Sequence, residues 1–519
     1  MPGKVYLVGA GPGDPGLLTL RGKRCIEQAD VIIYDYLANT RLLDYARSDC
    51  ERHLVGKHGG GERVEQSTIN RMIVESARQG KTVVRLKGGD PFIFGRGGEE
   101  AEAAVAAGLE FEIVPGVSSA IAVPAYAGIP LTHRQLASSV VFTTGYEYPN
   151  KREPAVRWRE LARSGSTLVI LMTQRQLAGN MSKLVAGGLA PDTPAAVIEW
   201  GTRADQRTVV GTAATIAALA ERAAVSPPAI AVVGPVVRLR ERLRWREQKP
   251  LFGRRIVLTR PRAQAAEFAE LLEVWGAEVV PFPTIETAPP ESFAPLDAAI
   301  QRAAEFDWVV FTSANGVRAF FDRVRALGTD VRDWHRARFA AIGPQTAKAV
   351  QAYCVRVEAV PDEFRAEAVV AVLSRAVVAG TRILLPRAAG ARPVLPEQLR
   401  QLGAVVEDVA TYRTVPMRAN AEELRQLLRA GSVDLITFTS SSTVHNFVRV
   451  LDGPLRDALG RSLIGCIGPV TAETARSYGL DVAVQPRTYT VPAFVDAIVQ
   501  FFTTAAPHRA ATHSAPDAS

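Results

Sequence analysis

Cysteine is scarce: Cys25, Cys50, Cys354 and Cys466 are the only four in 519 residues, and no two form a C-x-x-C pair. That scatter argues against a zinc site and against a disulfide framework. No metal is expected, and a reducing cytoplasm is the natural home. No apolar run approaches the roughly 18 residues needed to span a bilayer. The opening Met1-Pro2-Gly3-Lys4 leads straight into a strand-like VYLV, without the charged and apolar regions of a signal peptide. No membrane partner is therefore expected. Aromatic residues make up only 7%, and the abundance of Ala, Val and Leu suits α/β layers. Negative charge is in deficit, leaving a net charge of +8. Nucleic-acid motifs are lacking and the basic residues are spread out, so nucleic acid is not the expected partner. Two readings of the charge stay open: a generic Arg-rich protein, or a positive field that draws in a small polyanionic substrate. The one dense basic run, RLRERLRWREQK at 238–249, interleaves Glu241 and Glu247 and reads as a solvated helix or linker.

At roughly 100–200 residues per domain, a chain of this length predicts three or four domains. Before residue 238, short Val/Ile-rich runs alternate with Ala/Leu-rich stretches. Strands are expected at 5–8, 31–34, 82–86, 111–114, 140–143, 168–171, 195–199 and 230–233. Helices are expected at 17–29, 65–79, 99–107 and 174–186. Such alternation predicts βαβ units and largely parallel sheets. The second half carries an internal repeat. IVLTR at 256–260 recurs as ILLPR at 383–387, GA at 276 as GA at 403, FTS at 311–313 as FTS at 438–440, and IGP at 342–344 as IGP at 467–469. Four pieces in the same order at nearly one spacing imply two copies of one α/β unit. The Ala/Thr/Ser/Pro-rich stretch 503–519 reads as a disordered tail.

In the first half, VGAGPGDP at 8–15 follows a strand and precedes a helix. It fails the dinucleotide G-x-G-x-x-G pattern, because Asp14 stands where the third Gly belongs. A tight structural turn and a ligand-approach turn are both consistent with it. The stretch RLKGGDPFIFGRGGEE at 85–100 is denser. Gly88 and Gly89 allow a tight turn, and Asp90 follows a strand end, where open α/β sheets bind ligands. A carboxylate there suits an amino group or a ribose hydroxyl. Arg96 is suited to bidentate pairing with a substrate carboxylate. VPGVSSA at 114–120 places Ser118 and Ser119 at a second strand-to-helix turn, where helix capping is the alternative role. GIPLTHR at 128–134 adds Arg134, with His133 read equally as a packed loop residue.

Together with VYLVGAGPGDPGLLTLRG and ADVIIYD, these stretches resemble the uroporphyrinogen-III C-methyltransferases of the tetrapyrrole methylase superfamily, over about residues 3–237. The resemblance implies two α/β lobes with S-adenosylmethionine between them, a homodimer formed through this half, and two methyl transfers to uroporphyrinogen III that give precorrin-2. It places cofactor contacts on Pro12, Gly88, Gly89, Asp90, Ile93, Ser118, Ser119, Met172 and Gly201. It puts the proton acceptor and donor on Asp35 and Lys57, for which electrostatic support and neutralisation of a carboxylate are the alternative roles, and the substrate-binding charges on Arg96, Glu99 and Arg134. Departures from the family pattern are Tyr36 after Asp35, the Leu171-Met172-Thr173 triplet, Tyr146 and Gly234-Pro235-Val236. The FGRGGEE run sets the chain apart from later-acting precorrin methylases.

Residues 253–502 resemble uroporphyrinogen-III synthase through IVLTRP, DWVVFTSANGV, AIGPQTA, ILLPRA, ATYRT, DLITFTSSSTV and CIGPVTA. The resemblance implies a pair of parallel α/β lobes, about 253–286 plus 414–502, and 287–412. Residues 238–252 would link them to the methylase half, 1–237. The implied reaction is cyclisation of hydroxymethylbilane with inversion of the last ring. Thr312, Ser313, Ser440, Ser441 and Thr471 would hold the acetate and propionate groups, and Tyr412 would assist the departing hydroxyl. Capping of helices is the alternative role for the Ser and Thr residues, and a core position for Tyr412. A second half that only binds a tetrapyrrole is the competing reading. No dinucleotide-binding unit precedes residue 1, so oxidation of precorrin-2 and metal insertion are not expected of this chain.

Overall fold

A computed structural model describes residues 3–47, 49–56, 64–146, 156–363, 366–416, 421–451 and 459–504. The chain is an α/β protein, and its described strands form four five-stranded sheets. In the first sheet, β1 (Lys4–Gly9), β2 (Val31–Tyr34), β3 (Glu51–Leu54), β4 (Val83–Lys87) and β5 (Glu110–Val114) lie in the order β3-β2-β4-β1-β5, all parallel. Alternation of side chains sends Val5, Leu7 and Val83 into one buried cluster and Val8, Val84 and Leu86 into the other. That two-sided burial is why these strands read as continuous apolar runs.

The second sheet corrects the expectation of largely parallel pairing. It contains β6 (Val140–Thr144), β7 (Thr167–Leu171), β8 (Pro194–Glu199), β9 (Arg207–Thr212) and β10 (Ala229–Val233), ordered β6-β7-β10-β8-β9. Only β6 and β7 are parallel; β10 is antiparallel to both β7 and β8, and β9 is antiparallel to β8. The tight connection from β8 to β9 needs no crossover helix, which is the arrangement antiparallel neighbours allow.

The third sheet is wholly parallel and the fourth nearly so. The third holds β11 (Arg255–Leu258) and β12 (Glu278–Pro281). After the fourth sheet intervenes, β18 (Leu435–Phe438), β19 (Leu463–Cys466) and β20 (Val482–Val484) return to it, in the order β12-β11-β18-β19-β20. The fourth holds β13 (Ile285–Ala288), β14 (Trp308–Phe311), β15 (Arg338–Ala341), β16 (Arg382–Ala388) and β17 (Val405–Pro416), ordered β13-β17-β16-β14-β15. Its edge strand β13 runs antiparallel to β17, so residues 285–286 and 414–416 belong to this sheet and not to the first lobe. The sequence repeat is visible as strand equivalence: β11, β12, β14 and β15 correspond to β16, β17, β18 and β19. The copies are exchanged, however. Each sheet takes its first two equivalent strands from one copy and its last two from the other, giving β12-β11-β18-β19 and β17-β16-β14-β15.

The basic run at 238–249 is partly the expected solvated helix, with Glu241, Arg242, Leu243, Arg244 and Trp245 exposed, and partly docked. It continues from a 3-10 turn (Pro235–Leu239) into the short helix Arg240–Leu243, with Arg240 and Arg246 buried. Arg240 donates to Ala127 O and pairs with Glu247 at 2.7 Å. Trp245 Nε1 donates to Ala125 O at 3.1 Å, and Leu251 is fully buried in the third sheet's core. Thr503 and Thr504 close the helix Val491–Thr504 and so are not part of a tail; residues 505–519 lie outside the described residues.

Candidate functional site

Three loops converge at the carboxyl ends of β1, β4 and β5. Ala10 N donates to Lys87 O at 2.7 Å, and Gly11 and Gly89 exchange backbone hydrogen bonds of 3.2 and 2.8 Å. The approach is backbone to backbone: a Cβ on Gly116 would lie 2.3 Å from Gly89 O, and one on Gly9 2.4 Å from Gly116 Cα. Gly89 also adopts φ +71°, a conformation that favours glycine. Asp90 ties this cluster together. One carboxylate oxygen accepts from Phe92 N at 2.8 Å and the other from Gly116 N at 3.0 Å. Its foremost duty is thus to the loops themselves. Ser118 caps the helix Ser119–Tyr126 by accepting from Ala120 N at 3.3 Å.

Asp14, the residue that breaks the dinucleotide pattern, accepts from Gly16 N at 2.8 Å and from the Tyr126 hydroxyl at 2.9 Å. Its backbone N–H donates to Thr202 Oγ1 at 3.1 Å, so the loop carrying Pro12 meets the segment carrying Gly201. Ile93 and Met172 are exposed, 41% and 52%, and offer apolar surface. Met172, Trp200 and Thr202 all have positive φ, 57°, 47° and 73°. Strain of this kind persists where surrounding contacts over-determine it and is common at ligand sites.

Asp35, at the end of β2, is bonded to Arg85, and Arg85 leads to a buried ionic cluster. Arg85 Nε donates to Glu100 Oε1 at 2.9 Å, Lys87 Nζ to the same oxygen at 3.0 Å, and Gln66 Nε2 at 3.1 Å. Burial opposes charge on Arg85, but Asp35 and Glu100 outweigh it and raise its pKa. Burial, then Arg85, pushes the Lys87 ammonium down, against the pull of Glu100 and Asp35. Glu100 Oε2 is buried without a hydrogen-bond partner. Arg85, Lys87 and Glu100 carry no role that the sequence motifs assign. A signal was present: two cations alternate in a central strand that is otherwise apolar, and buried charges require counter-charges.

Arg96, at φ +59°, precedes the helix Gly97–Ala106 and pairs with Glu99, Nε to Oε1 at 2.8 Å. Arg134 is exposed in the turn where Gln135 N donates to His133 Nδ1 at 3.3 Å, so His133 serves its own loop. Lys57 lies outside the described residues. In the second half, Ser313 Oγ and the Tyr412 hydroxyl are 3.1 Å apart, and Ser313 also accepts from Gly316 N at 3.0 Å. Thr312 precedes it in the turn after β14. Ser440 accepts from Thr443 N at 3.3 Å, and Ser441 accepts from Thr474 Oγ1 at 2.7 Å. Thr471 is buried in the first turn of the helix Pro469–Ser477. The hydroxyls therefore form two groups, one at the end of each sheet, and helix capping is one part of what they do.

Two families match this chain. Tetrapyrrole (corrin/porphyrin) methylases match residues 4–217, and uroporphyrinogen-III synthase HemD matches residues 266–496. The porphyrin biosynthesis protein HemD of Ruminiclostridium josui is 36% identical over 499 residues, covering 96% of this chain and 98% of that protein. An S-adenosyl-L-methionine-dependent uroporphyrinogen III methyltransferase of Methanosarcina barkeri is 57% identical over 239 residues, covering 46% of this chain and 94% of that protein. Among solved structures, the uroporphyrin-III C-methyl transferase of Thermus thermophilus complexed with S-adenyl homocysteine is 38% identical, covers 46% of this chain and 100% of that one, and aligns with a TM-score of 0.40.

Proposed function

The chain belongs to the tetrapyrrole methylases and to the uroporphyrinogen-III synthases, joined in one polypeptide, and from this premise we propose how its residues divide the work. It is a bifunctional enzyme of tetrapyrrole biosynthesis, combining uroporphyrinogen-III synthase with S-adenosylmethionine-dependent uroporphyrinogen-III methyltransferase. The methyl donor supplies an electrophilic methyl group on a sulfonium. Residues 1–237 hold that donor and the macrocycle, and residues 253–502 make the macrocycle.

The observation that carries the first assignment is the glycine-tight convergence of three loops beside the Arg85–Asp35 pair. Where side chains are missing, Gly88, Gly89 and the turn at Ser118 and Ser119 present backbone amides and carbonyls. The Pro12 loop meets the Gly201 segment through Asp14 and Thr202, and Ile93 and Met172 are exposed apolar side chains. Polar backbone together with exposed apolar side chains fits a ligand that is part nucleoside and part amino acid. The nucleophile is an electron-rich, fully substituted pyrrole carbon. As it bonds to the methyl group the sulfonium C–S bond breaks, and the resulting cation is discharged by loss of a proton from elsewhere in the macrocycle. This needs alignment and a base. Asp35, paired with Arg85, accepts that proton, and Lys57 is the proton donor that the family resemblance implies. Arg96, Glu99 and Arg134 form the substrate side: Arg96 and Arg134 meet the peripheral carboxylates, Glu99 holds Arg96, and Arg96 exchanges that contact for a substrate carboxylate of the same geometry.

In the second half, the Ser313–Tyr412 pair supports a role for the Tyr412 hydroxyl in departure of the substrate hydroxyl. Thr312, Ser313, Ser440, Ser441 and Thr471 hold the acetate and propionate arms. A homodimer through the first half and a cytoplasmic setting complete the reading. The thiols are free, and no helix among the described residues is long and apolar enough to cross a membrane. One incubation tests the whole: the purified chain with hydroxymethylbilane and methyl-labelled S-adenosylmethionine. The expected product is a type III macrocycle carrying two labelled methyl groups. A labelled type I product would remove the synthase assignment, and an unlabelled type III product the methylase assignment.

A further inference from the structure

The segment Trp200–Gln206 leaves β8 and carries Gly201. It turns back on itself: Thr202 N donates to Gln206 Oε1 at 2.8 Å, and Trp200 and Thr202 are both held at positive φ. On one side it grips the loop after β1. Asp14 N donates to Thr202 Oγ1, and a Cβ on Gly13 would lie 2.9 Å from both Thr202 Oγ1 and Arg203 Cγ. Arg203 Nη2 donates to Leu37 O at 3.1 Å, beside Asp35.

On its other side the segment is held by the second half of the chain. Ala204 N donates to Glu278 Oε2 at 2.9 Å. Arg255 Nη2 donates to Asp205 Oδ2 at 2.6 Å and to Glu278 Oε2 at 3.2 Å. Arg255 is 7% exposed, and both residues lie in strands, β11 and β12, whose positions are fixed by the third sheet. Burial opposes charge on Glu278, but Arg255 and the Ala204 amide outweigh it and keep its carboxyl below the usual range. Arg246, in the docked connector, donates to Thr202 O at 3.1 Å and lies over the Tyr126 ring. A second clamp lies close by: Arg41 pairs with Glu273 of the helix Arg262–Val274, and Asn39 Nδ2 donates to Gly13 O at 2.7 Å.

We infer that Glu278 and Arg255, residues of the synthase half, are positioning residues for the methyl-donor site of the first half, holding Trp200–Gln206 in the conformation that presents Gly201. The inference rests on the reading of Gly201 and Pro12 as donor contacts. Its physical basis is population: a backbone held at unfavourable φ by outside contacts relaxes when they are removed. A site competent only part of the time binds its ligand more weakly by that fraction. Neither residue touches the donor, so the effect falls on affinity and leaves the chemical step alone.

The test measures S-adenosylhomocysteine binding by calorimetry on the full chain, with formation of the type III isomer from hydroxymethylbilane as the report that the second half is intact. Glu278→Ala is expected to weaken binding about tenfold and Asp205→Asn about threefold, while turnover at saturating methyl donor changes less than about twofold. Glu278→Gln keeps an acceptor for Ala204 N and is expected to fall between wild type and Glu278→Ala. Binding by Glu278→Ala and Asp205→Asn equal to wild type, with type III formation retained, overturns the inference. If Glu278→Ala loses type III formation, Asp205→Asn, an exposed change on the first half, decides alone. Absence of binding by the wild-type chain would instead sink the donor-site reading beneath it.

Discussion

Arg85, Lys87, Asp35 and Glu100 form a cluster of balanced charge in a sheet whose other central residues are apolar. Removing one member of a buried ionic group is costlier than the group is stabilising, because the remaining charge is left unmatched. Glu100→Gln leaves two buried cations facing a neutral amide and is expected to destabilise the first half by about 3–5 kcal/mol, read as a lower denaturant midpoint. Arg85→Lys keeps the charge but cannot reach Asp35 and Glu100 together. It should slow methyl transfer roughly 10²-fold, the scale of a misplaced proton acceptor, with donor affinity unchanged; equal loss of affinity would make Arg85 merely structural. Cysteine gives an independent check on burial. Burial pushes the Cys466 thiol up to about 12 and raises Cys25 and Cys50 as well, whereas Cys354 is exposed. Since the thiolate is the nucleophile, iodoacetamide at pH 8 should label Cys354 alone in the native chain and all four in urea. Labelling of Cys466 without denaturant would contradict the packing of β19.

At the scale of elements, the loop cluster makes a sharp prediction. The atoms a Cβ on Gly116 would meet are backbone of Gly89 and Gly9, which no rotamer change can move aside. Gly116→Ala should abolish donor binding by calorimetry. Gly98, exposed in the helix Gly97–Ala106, meets nothing within 4 Å, and Gly98→Ala should be neutral or stabilise by about 0.5–1 kcal/mol. If the two variants behave alike, the backbone contact is not what shapes the site. The same elements show what a sequence discloses. Strands buried on both faces, such as VYLVG and VVRLK, announce themselves by apolar continuity. So do the loops whose glycines the geometry demands. β3, with the sequence ERHL and all four residues exposed, has no pattern to read, since its place at the sheet edge is fixed by pairing with β2. Strand direction in the second sheet was illegible for a related reason: β8 and β10 are buried like parallel strands, and only tertiary pairing makes them antiparallel. The connector 238–252 is legible as a partly solvated helix but not as docked, because Arg240 and Arg246 find partners on the folded first half, which composition cannot disclose. The candidate donor contacts were legible as motifs. The network behind Asp35 was not, because its members come from three separate elements.

At the scale of the whole molecule, the exchanged repeat decides which pieces of the second half are independent. One sequence copy, about residues 253–376, supplies β11 and β12 to one sheet and β14 and β15 to another. β11 needs β18 beside it, and β14 needs β16, so this piece holds two half-sheets with open edges and no complete core. The segment 284–416 is of similar length and cuts across both copies, yet it contains every strand of the fourth sheet, β13 to β17. Both of that sheet's core clusters, from Phe306, Phe311 and Trp334 on one face to Leu373, Ile383 and Leu395 on the other, fall inside it. Stability follows buried apolar area, not sequence similarity between copies. Segment 284–416 should therefore unfold cooperatively in urea, with a single sigmoidal transition by circular dichroism. Segment 253–376 should show no such transition, despite containing one whole repeat. The reverse result would mean that each copy folds on its own and that the exchange of strands is not how the chain is built.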